Sequence, residues 1–368
     1  MKGKAAVLMG KMEVAVKQFD LPSVEPGAVL LEVIKANVCG SDVHIWHGLH
    51  PVIKKGVVLG HEFIGRILKL GEGVTTDYAG APVKVGDRVV APYYLTCLKC
   101  APCLRGELAL CQNAYKFTAS PPETPPHFHG SYATHYYIHS NQYFYKVPDR
   151  LPDAVAAGAN CGLSQVYYGL DQANLSMGET VVIQGAGGLG LHASAVAKEK
   201  GANVVIIEGA PERLKLAKAF GVDHLIDLSQ LAKVEERVEQ VKKISGSDGA
   251  DVVLEVSGVP AAFSEALQLV RPGGRVVSIG NILVGPEFEI PVCPGVITRK
   301  SIIVKGIVRY APWYLYRSLQ FLQRNLGKYP YEKFSDREYA LAEVQEALVR
   351  SEKRTIGRAI IAPQDVKS

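Results

Sequence analysis

The feature that most constrains the fold is the glycine run at residues 185–190, because a predicted strand leads into it and a predicted helix leads out. The run reads Gly185-Ala186-Gly187-Gly188-Leu189-Gly190 and fits G-x-G-x-x-G. The strand covers residues 180–184, and the helix runs from Leu189 to Glu199, with Gly201 as its stop. Strands and helices go on alternating to about residue 279. This alternation is typical of a doubly wound parallel sheet, the α/β Rossmann fold.

A strand, a glycine turn and a helix in this order predict a dinucleotide site. The glycines let the main chain approach a pyrophosphate, and the helix N-terminus offers free N–H groups to it. Glu208 closes the next predicted strand, where a carboxylate accepts hydrogen bonds from ribose hydroxyls and repels a 2′-phosphate. We therefore predict NAD, with NADP as the alternative because Arg213 is close in sequence. The predicted cofactor-binding residues are Gly185, Gly187, Gly188, Leu189, Gly190, Glu208 and Arg213.

The first 150 residues have a different rhythm, with short β-like runs separated by Gly, Pro and Asp. Examples are residues 29–34, 63–68 and 88–91. Such spacing predicts a small antiparallel barrel or sandwich. We therefore predict a β-rich domain at residues 1–165, a cofactor domain at residues 166–305, and a return to the first domain at residues 306–368.

Four cysteines, Cys97, Cys100, Cys103 and Cys111, fall within one short stretch. Four thiolates with no open position describe a structural tetrahedral zinc site. Bacterial iron–sulfur motifs also begin C-x2-C-x2-C, but they continue with x3-C-P, whereas seven residues separate Cys103 from Cys111 here. A zinc ribbon would separate its cysteine pairs by about 15–20 residues. The spacing therefore favours structural zinc.

Three further potential metal ligands, Cys39, His61 and Cys161, are spread over the first domain. Catalytic zinc sites use three protein ligands and leave a fourth position for water or substrate, and two cysteines with one histidine is the ligand set of alcohol dehydrogenase. Each residue alone is weak evidence, since a lone histidine is more often structural. Their joint occurrence predicts a catalytic zinc site.

Charge and composition exclude several classes of function. The net charge is +5, and six thiolates with two Zn²⁺ would change it by −6 + 4 = −2, to +3, with no block of like charges. Binding to nucleic acid or to an anionic membrane is therefore not predicted. The N-terminus lacks the apolar run of a secretory signal, and no stretch reaches the ~18 apolar residues of a membrane span. Cysteines used as metal ligands favour a reducing cytoplasm.

Taken in order, the motifs resemble those of the zinc-dependent medium-chain alcohol dehydrogenases. The segments that carry the resemblance are Cys39-Gly40-Ser41-Asp42-Val43-His44, Gly60-His61-Glu62, the four-cysteine loop, Asn160-Cys161-Gly162 and the glycine run. The first segment resembles the polyol and threonine dehydrogenase branch, whereas Cys161 resembles the third ligand of the simple alcohol dehydrogenases. The resemblance implies a GroES-like β-barrel catalytic domain beside the Rossmann domain.

The resemblance also implies roles for individual residues. Ser41 would take the alcohol proton and pass it through the cofactor ribose to His44. Asp42 would orient His61, and Glu62 would join the metal ligands during ligand exchange. Three alternatives stay open at this point: Ser41 as a helix cap, His44 as a surface histidine, and Asp42 as an ordinary cap or ion-pair partner.

The predicted activity is hydride transfer between NAD and an unidentified primary or secondary alcohol, with two zinc ions per chain. Polyol or amino-alcohol oxidation is an alternative, as is a non-catalytic NAD-binding zinc protein. Candidate pocket residues are Trp46, Tyr93, Tyr94, Ile282 and Leu283, with the loop at residues 113–130 as a pocket rim or a solvated segment. Family members associate through edge strands of the cofactor domain, so residues 302–304 predict a homodimer or homotetramer.

Overall fold

The computed structural model describes residues 1–53, 55–353 and 358–364. Contacts divide the chain into two compact units. Met1–Ser164, Ala311–Leu326 and Tyr331–Ser368 form the first unit, and Gln165–Tyr310 with Gly327–Pro330 form the second. None of the helices in the described ranges is long and apolar enough to cross a membrane.

Strands occur in both units. In chain order they are β1 (Lys2–Gly10), β2 (Glu13–Asp20), β3 (Val29–Asn37), β4 (Glu62–Leu70), β5 (Arg88–Val90), β6 (His135–Ile138), β7 (Tyr145–Lys146), β8 (Thr180–Gln184), β9 (Asn203–Glu208), β10 (His224–Asp227), β11 (Ala250–Glu255), β12 (Val270–Ser278), β13 (Ile303–Gly306), β14 (Ser335–Ala340) and β15 (Arg358–Ala362).

The helices are α1 (Gly40–Trp46), α2 (Ala101–Leu104), α3 (Asp153–Ala156), α4 (Ser164–Gln172), α5 (Gly188–Glu199), α6 (Pro211–Ala219), α7 (Val234–Ser245), α8 (Pro260–Leu269), α9 (Pro294–Lys300), α10 (Trp313–Arg324) and α11 (Val344–Glu352). Short 3₁₀ turns occur at Leu108–Leu110, Pro286–Phe288, Tyr331–Phe334 and Leu341–Glu343, and a π-helical turn occurs at Ala159–Leu163.

The first unit is built on a mainly antiparallel seven-stranded sheet, in which β14, β15, β3, β4, β5 and β7 lie in that order and β6 also pairs with β3. Strands β1 and β2 form a separate hairpin. Apolar side chains from the strands, α1 and α11 form the core, in which Trp46, Phe63 and Tyr132 are fully buried. This is the β-rich domain that the sequence predicts.

Strand register in this sheet brings three distant segments together. Asn37 at the end of β3 pairs with Glu62 at the start of β4 and with Ile360 of β15. Cys39 follows the end of β3, His61 precedes the start of β4, and Arg358 begins β15. Because neighbouring strands lie about 4.8 Å apart, this register places the three residues at one end of the sheet.

The second unit is a six-stranded parallel sheet in the order β10-β9-β8-β11-β12-β13. Its central strands are continuous runs of fully buried aliphatic residues, such as Val181–Ile183 and Val252–Leu254. Such runs are typical of strands covered by helices on both faces. Chain order reverses between β8 and β11, which makes this position the topological switch point.

The domain limits differ slightly from those predicted. We assigned residues 306–368 to the first domain, but Gly306 is still paired with Ser278 in the parallel sheet, and the second unit extends to Tyr310. The second unit also includes the short segment Gly327–Pro330. Tyr329 of this segment stacks on Phe220 and donates a hydrogen bond to Glu199 at 2.5 Å. Residues 354–357 and 365–368 of the predicted return lie outside the described ranges.

Candidate active site and metal centres

The four-cysteine loop gathers Cys97, Cys100, Cys103 and Cys111 so that their Sγ atoms lie within 4.8 Å of one another. Cys111 Sγ accepts a hydrogen bond from the main-chain N–H of Cys97 at 3.3 Å, and Asn113 Nδ2 donates to Cys97 Sγ at 3.3 Å. The N–H of Lys99 and the side chain of Asn113 lower the pKa of Cys97 to about 6. Four soft donors, with N–H groups directed at sulfur, fit a closed tetrahedral zinc site.

A second group, Cys39, His61, Glu62 and Cys161, also has its ligand atoms within 4.8 Å of one another. Cys39 immediately precedes α1, His61 immediately precedes β4, and Glu62 is the first residue of β4. Cys161 lies in the π-helical turn, a conformation that is frequent at functional sites. Hydrogen bonding to the Cys161 thiol lowers the pKa of Cys39. Two sulfur donors, one imidazole and one carboxylate fit zinc.

Gly60 is required for His61 to enter this group. Its φ is +87°, and a Cβ at this position would lie 2.3 Å from the Tyr132 ring. Only glycine combines that backbone conformation with so close an approach. The turn before β4 therefore depends on the glycine of the Gly-His-Glu motif.

Asp42 holds both Cys39 and His61. Its Oδ1 lies 2.9 Å from Nδ1 of His61, and its Oδ2 accepts the main-chain N–H of Cys39 at 2.9 Å and the hydroxyl of Tyr132 at 2.9 Å. Although burial acts in the opposite direction, Asp42 raises the pKa of His61 well above its usual value. A proton held on Nδ1 by Asp42 leaves Nε2 free to bind a metal.

Glu62 makes a buried ion pair with Arg358. Burial raises the pKa of Glu62 to about 8 even though Arg358 opposes the shift. Oε1 of Glu62 is buried and has no hydrogen-bond partner in the described ranges. A buried, unsatisfied oxygen that belongs to the ligand group indicates room for a cation there. No sequence pattern pointed to Arg358, which lies 296 positions from Glu62.

Ser41 and His44, the two predicted proton-relay residues, both lie on α1. The Ser41 hydroxyl is 3.5 Å from Nε2 of His61, the nitrogen that Asp42 leaves free. His44 lies in the last turn of the same helix and is half-buried. The structure therefore brings Ser41 to the ligand group and places His44 one turn away along α1.

Further residues border the ligand group. The Tyr93 ring centroid is 5.1 Å from that of His61, as expected for a pocket residue. Asn160 Nδ2 donates to the His61 carbonyl at 2.8 Å and to the Ala91 carbonyl at 2.9 Å, which ties the π-helical turn to β4. Two other candidates, Trp46 and Tyr94, are buried in the domain interior. No sequence pattern indicated the roles of Tyr132, Asn160 and Arg358.

The 113–130 loop supplies no metal site in the described ranges, which contain two groups of three or more potential ligands, both already named. His127 stacks on Phe19 with ring centroids 5.3 Å apart. Phe117 lies parallel to His139 at 3.4 Å and to His129 at 6.0 Å. His127 and His129 of this loop therefore contribute to aromatic packing.

The glycine run connects β8 to α5 in the second unit, as predicted. Gly185 has a φ of +104°, and a Cβ on Gly190 would lie 1.9 Å from the Gly185 carbonyl oxygen. Gly187 is the N-cap residue of α5, which begins with Gly188 and Leu189. The first and last glycines are thus required by the turn itself. Gly187 instead has an ordinary φ of −71°, and a Cβ at this position would meet only Arg213 Nη1, at 4.0 Å.

Glu208, at the end of β9, faces the same turn. Its Oε2 accepts the N–H of Ala186 at 2.9 Å, and its Oε1 accepts the N–H groups of Gly209 and Ala210 at 2.7 and 2.9 Å. Arg213 Nη1 is 3.8 Å from Oε2. The acid and the arginine of the predicted adenosine site are therefore both beside the glycine run.

Two family models match the chain. The model described as alcohol dehydrogenase GroES-like domain matches residues 25–149, and the model described as zinc-binding dehydrogenase matches residues 188–324. The chain is 34% identical to 5-exo-hydroxycamphor dehydrogenase of Pseudomonas putida over 94% of each chain. It is 32% identical to sorbitol dehydrogenase of Bacillus subtilis over 95% of this chain and 93% of that one, and 32% identical to L-threonine 3-dehydrogenase of Rhizobium rhizogenes over 88% and 89%.

Solved structures agree with these matches. The fold is similar to that of an alcohol dehydrogenase from Thermotoga maritima, with a TM-score of 0.91 and 31% identity over 99% of this chain and 100% of that chain. An alcohol dehydrogenase from Thermus sp. ATN1 gives a TM-score of 0.83 and 30% identity over 98% and 100%. Both domain types that the motifs implied, GroES-like and Rossmann, are therefore confirmed, and the chain belongs to the zinc-dependent medium-chain alcohol dehydrogenase family.

Proposed function

We propose that this oxidoreductase transfers a hydride between an alcohol and NAD, giving an aldehyde or a ketone. The observation that carries the proposal is the convergence of Cys39, His61 and Cys161 on one point, with Ser41 beside the histidine. Three protein donors and a serine hydroxyl at the same place describe a catalytic site rather than a structural one. A protein without catalytic activity would not require three metal donors and a serine hydroxyl in this arrangement.

Cys39, His61 and Cys161 are the proposed protein ligands of a catalytic zinc, with Glu62 as a further donor during ligand exchange. Zinc at this site supplies Lewis-acid chemistry, which makes an alcohol hydroxyl more acidic. Asp42 keeps the His61 proton on Nδ1, so Nε2 can bind the metal. Arg358 keeps the Glu62 carboxylate close to the ligand group.

Ser41 and His44 are the proposed path for the alcohol proton. The Ser41 hydroxyl lies next to His61 Nε2 and can both accept and donate a proton. His44, further along α1, is the proposed last acceptor before water, since an imidazole nitrogen can accept a proton and release it again. Neither residue has to be a strong base, because the hydroxyl is already acidified.

The second unit is the proposed NAD site. NAD supplies the hydride acceptor when it is bound. Main-chain N–H groups at the start of α5 would bind the pyrophosphate, and Glu208 would accept a ribose hydroxyl through its remaining lone pair. The Glu208 carboxylate would repel a 2′-phosphate, which supports NAD over NADP. Arg213, 3.8 Å from that carboxylate, is the reason that NADP stays the alternative.

The four-cysteine loop is the proposed site of a second, structural zinc, so each chain would hold two ions. Six thiolate ligands require reduced cysteines, which supports a cytoplasmic location. The β13 edge of the parallel sheet is the proposed interface of a homodimer or homotetramer.

The substrate class follows from the relatives only as a proposal. Their names cover a terpenoid alcohol, a polyol and an amino alcohol. All three compounds carry a primary or secondary alcohol group, which is the substrate class that we propose. Oxidation of a polyol or an amino alcohol is the second candidate, because the Cys-Gly-Ser-Asp-Val-His stretch resembles the polyol and threonine dehydrogenase branch.

The test is NADH formation measured against a panel of alcohols, diols, polyols and hydroxy amino acids, on protein of known zinc content. Cys39→Ser serves as the active-site variant and Cys293→Ser, at an exposed cysteine, as its matched control. We expect Cys39→Ser to lose turnover and one zinc ion per chain. We expect Cys293→Ser to keep its turnover and both zinc ions. Absence of turnover on every substrate, with NAD bound and one zinc per wild-type chain, would favour the non-catalytic alternative.

A further inference from the structure

Glu255, the last residue of β11, has a fully buried side chain at the carboxyl end of the parallel sheet. Its Oε1 accepts the N–H of Ser257 at 2.8 Å, the hydroxyl of Ser257 at 2.9 Å and the N–H of Gly258 at 2.9 Å. Its Oε2 accepts the N–H of Asn281 at 3.2 Å and the hydroxyl of Ser278 at 3.3 Å. One carboxylate thus binds the loop after β11 and the loop after β12.

The main chain reinforces this arrangement. The Glu255 carbonyl accepts the N–H groups of Ile279 and Gly280 at 3.0 and 3.1 Å. A Cβ on Gly280 would lie 2.6 Å from the Gly258 nitrogen and 2.9 Å from Glu255 Oε1. The two loops therefore pack directly on each other around the carboxylate, with no space between them for a side chain at residue 280.

These loops lie where the second half of a dinucleotide would bind. In a doubly wound sheet the cofactor crosses the switch point, with its two nucleotide halves over the two halves of the sheet. Glu208 marks β9 as the adenosine side, so the nicotinamide half belongs over β11 and β12. The loop after β11 touches the glycine turn, because a Cβ on Gly185 would lie 3.1 Å from Ser257 Cα.

The hydrogen bonds also describe the charge of Glu255. Three of its five partners are main-chain N–H groups, which can only donate, so the pattern suits an ionised carboxylate that accepts throughout. Every hydrogen bond to it in the described ranges comes from a main-chain N–H or a serine hydroxyl, and none from a cationic side chain. A negative charge buried in this way acts on its surroundings through a low dielectric.

We propose that Glu255 is a positioning residue that shapes both loops for the nicotinamide half of the cofactor, and that its charge favours the oxidised cofactor over the reduced one. The nicotinamide ring is cationic in NAD⁺ and neutral in NADH, so a nearby negative charge stabilises only the oxidised ring. This inference rests on the proposed use of NAD. It adds a residue that sets the relative affinities of the two redox forms.

The test is to measure the dissociation constants of NAD⁺ and NADH on the zinc-loaded protein, by calorimetry and by NADH fluorescence. Binding of both forms to the wild-type chain tests the proposed function on its own. We expect Glu255→Gln to lower the preference for NAD⁺ on the order of tenfold, the effect of one unit charge within about 10 Å at an effective dielectric of ~20.

Two further variants separate charge from shape. Glu255→Asp keeps the charge on a shorter side chain, and we expect it to weaken both forms while leaving their affinity ratio within about twofold of wild type. Asp251→Asn removes a carboxylate from the other end of β11, about 13 Å away, where Asp251 binds the N–H of Thr180 and the side chain of Arg271. It should leave the ratio unchanged.

The outcomes are distinct. A wild-type chain that binds neither form contradicts the proposed function, and with it this inference. A wild-type chain that binds both, with equal losses for NAD⁺ and NADH in Glu255→Gln, overturns the charge effect alone. The charge effect is also overturned if the ratio of the NAD⁺ and NADH affinities changes as much in Glu255→Asp or Asp251→Asn as in Glu255→Gln.

Discussion

Nδ1 of His61 lies 2.9 Å from Oδ1 of Asp42, and the other oxygen of the same carboxylate accepts the N–H of Cys39. One buried aspartate therefore positions two of the proposed zinc ligands. The residue is fully buried, and Tyr132 supplies its remaining hydrogen bond. Asp42 is thus a scaffold of the ligand group rather than a helix cap alone.

Replacing Asp42 by Asn is expected to weaken zinc binding at this site about 10–100-fold. The asparagine NH₂ group would face the N–H of Cys39, so two donors would meet where a donor and an acceptor now pair. Zinc affinity is measured by competition with a chromogenic chelator. The control is Asp77→Asn, which alters a buried aspartate that binds the N–H groups of Ala79, Ala81 and Lys146. Unchanged zinc affinity in Asp42→Asn would contradict the role of Asp42.

Cys111→Ser is expected to release about one zinc per chain and to lower the midpoint of thermal unfolding, because a structural metal contributes directly to folding stability. Cys111 is buried, and its sulfur also accepts the N–H of Cys97. Zinc analysis and calorimetry measure the two effects. Cys293→Ser, at an exposed cysteine, should change neither. A Cys111→Ser protein with two zincs and an unchanged midpoint would show that the loop needs no metal.

The ligand groups could be predicted from sequence because their residue types are rare and their spacing in the chain is specific. The supporting contacts could not. Tyr132 reaches Asp42 from 90 positions away, and Arg358 reaches Glu62 from 296. Those contacts depend on the register that pairs Asn37 with both Glu62 and Ile360, and no local pattern encodes that register.

The glycine run shows the same limit. Its sequence predicted the turn and the start of α5, but it did not distinguish glycines that the fold requires from one that a ligand requires. That distinction comes from the space around each Cβ position. It is available only once β8, α5 and the loop after β11 are packed.

Two alanine substitutions separate these requirements. Gly190→Ala should destabilise the chain by about 1–3 kcal/mol, because its Cβ would lie 1.9 Å from the Gly185 carbonyl oxygen. Gly187→Ala should cost about 1 kcal/mol or less, since the nearest atom to its Cβ would be Arg213 Nη1 at 4.0 Å. It should nevertheless weaken NAD binding at least about tenfold by blocking approach of the pyrophosphate. Chemical denaturation and NAD titration measure the two effects, and wild-type NAD affinity in Gly187→Ala would argue against this placement of the cofactor.

The edge strand β13 is the predicted interface between copies of this chain. All four of its residues are exposed, and two of them, Ile303 at 61% and Val304 at 40%, are β-branched and apolar. An exposed edge strand with such side chains invites pairing with a second copy. Ile303→Lys should therefore convert the assembly to a species of lower mass, as measured by light scattering. Met177→Lys, at a side chain 83% exposed in the same unit, is the control. An unchanged mass for Ile303→Lys would place the interface elsewhere.

Two histidines, the buried His129 and the half-buried His139, make stability depend on pH. Burial lowers the pKa of His129 to about 4 and that of His139 to about 3, and the nearby His127 and Lys116 act in the same direction. In the unfolded chain both histidines titrate near pH 6.5. Between these values the unfolded state binds more protons, so stability is complete above about pH 6.5 and decreases as the pH falls towards 4. Each histidine contributes up to about 1.4 kcal/mol per pH unit in that range.

Urea unfolding between pH 7 and pH 4 measures this slope, and His139→Phe should reduce it because one titrating group is removed while the stacking on Phe117 is kept. The comparison is between slopes, since release of zinc in acid affects wild type and variant alike. His224→Phe, at an exposed histidine, should retain the wild-type slope. If His139→Phe also retained the wild-type slope, then His139 is protonated to the same extent in the folded and the unfolded chain. Stacking on Phe117 would then not disfavour the charged form of the His139 ring.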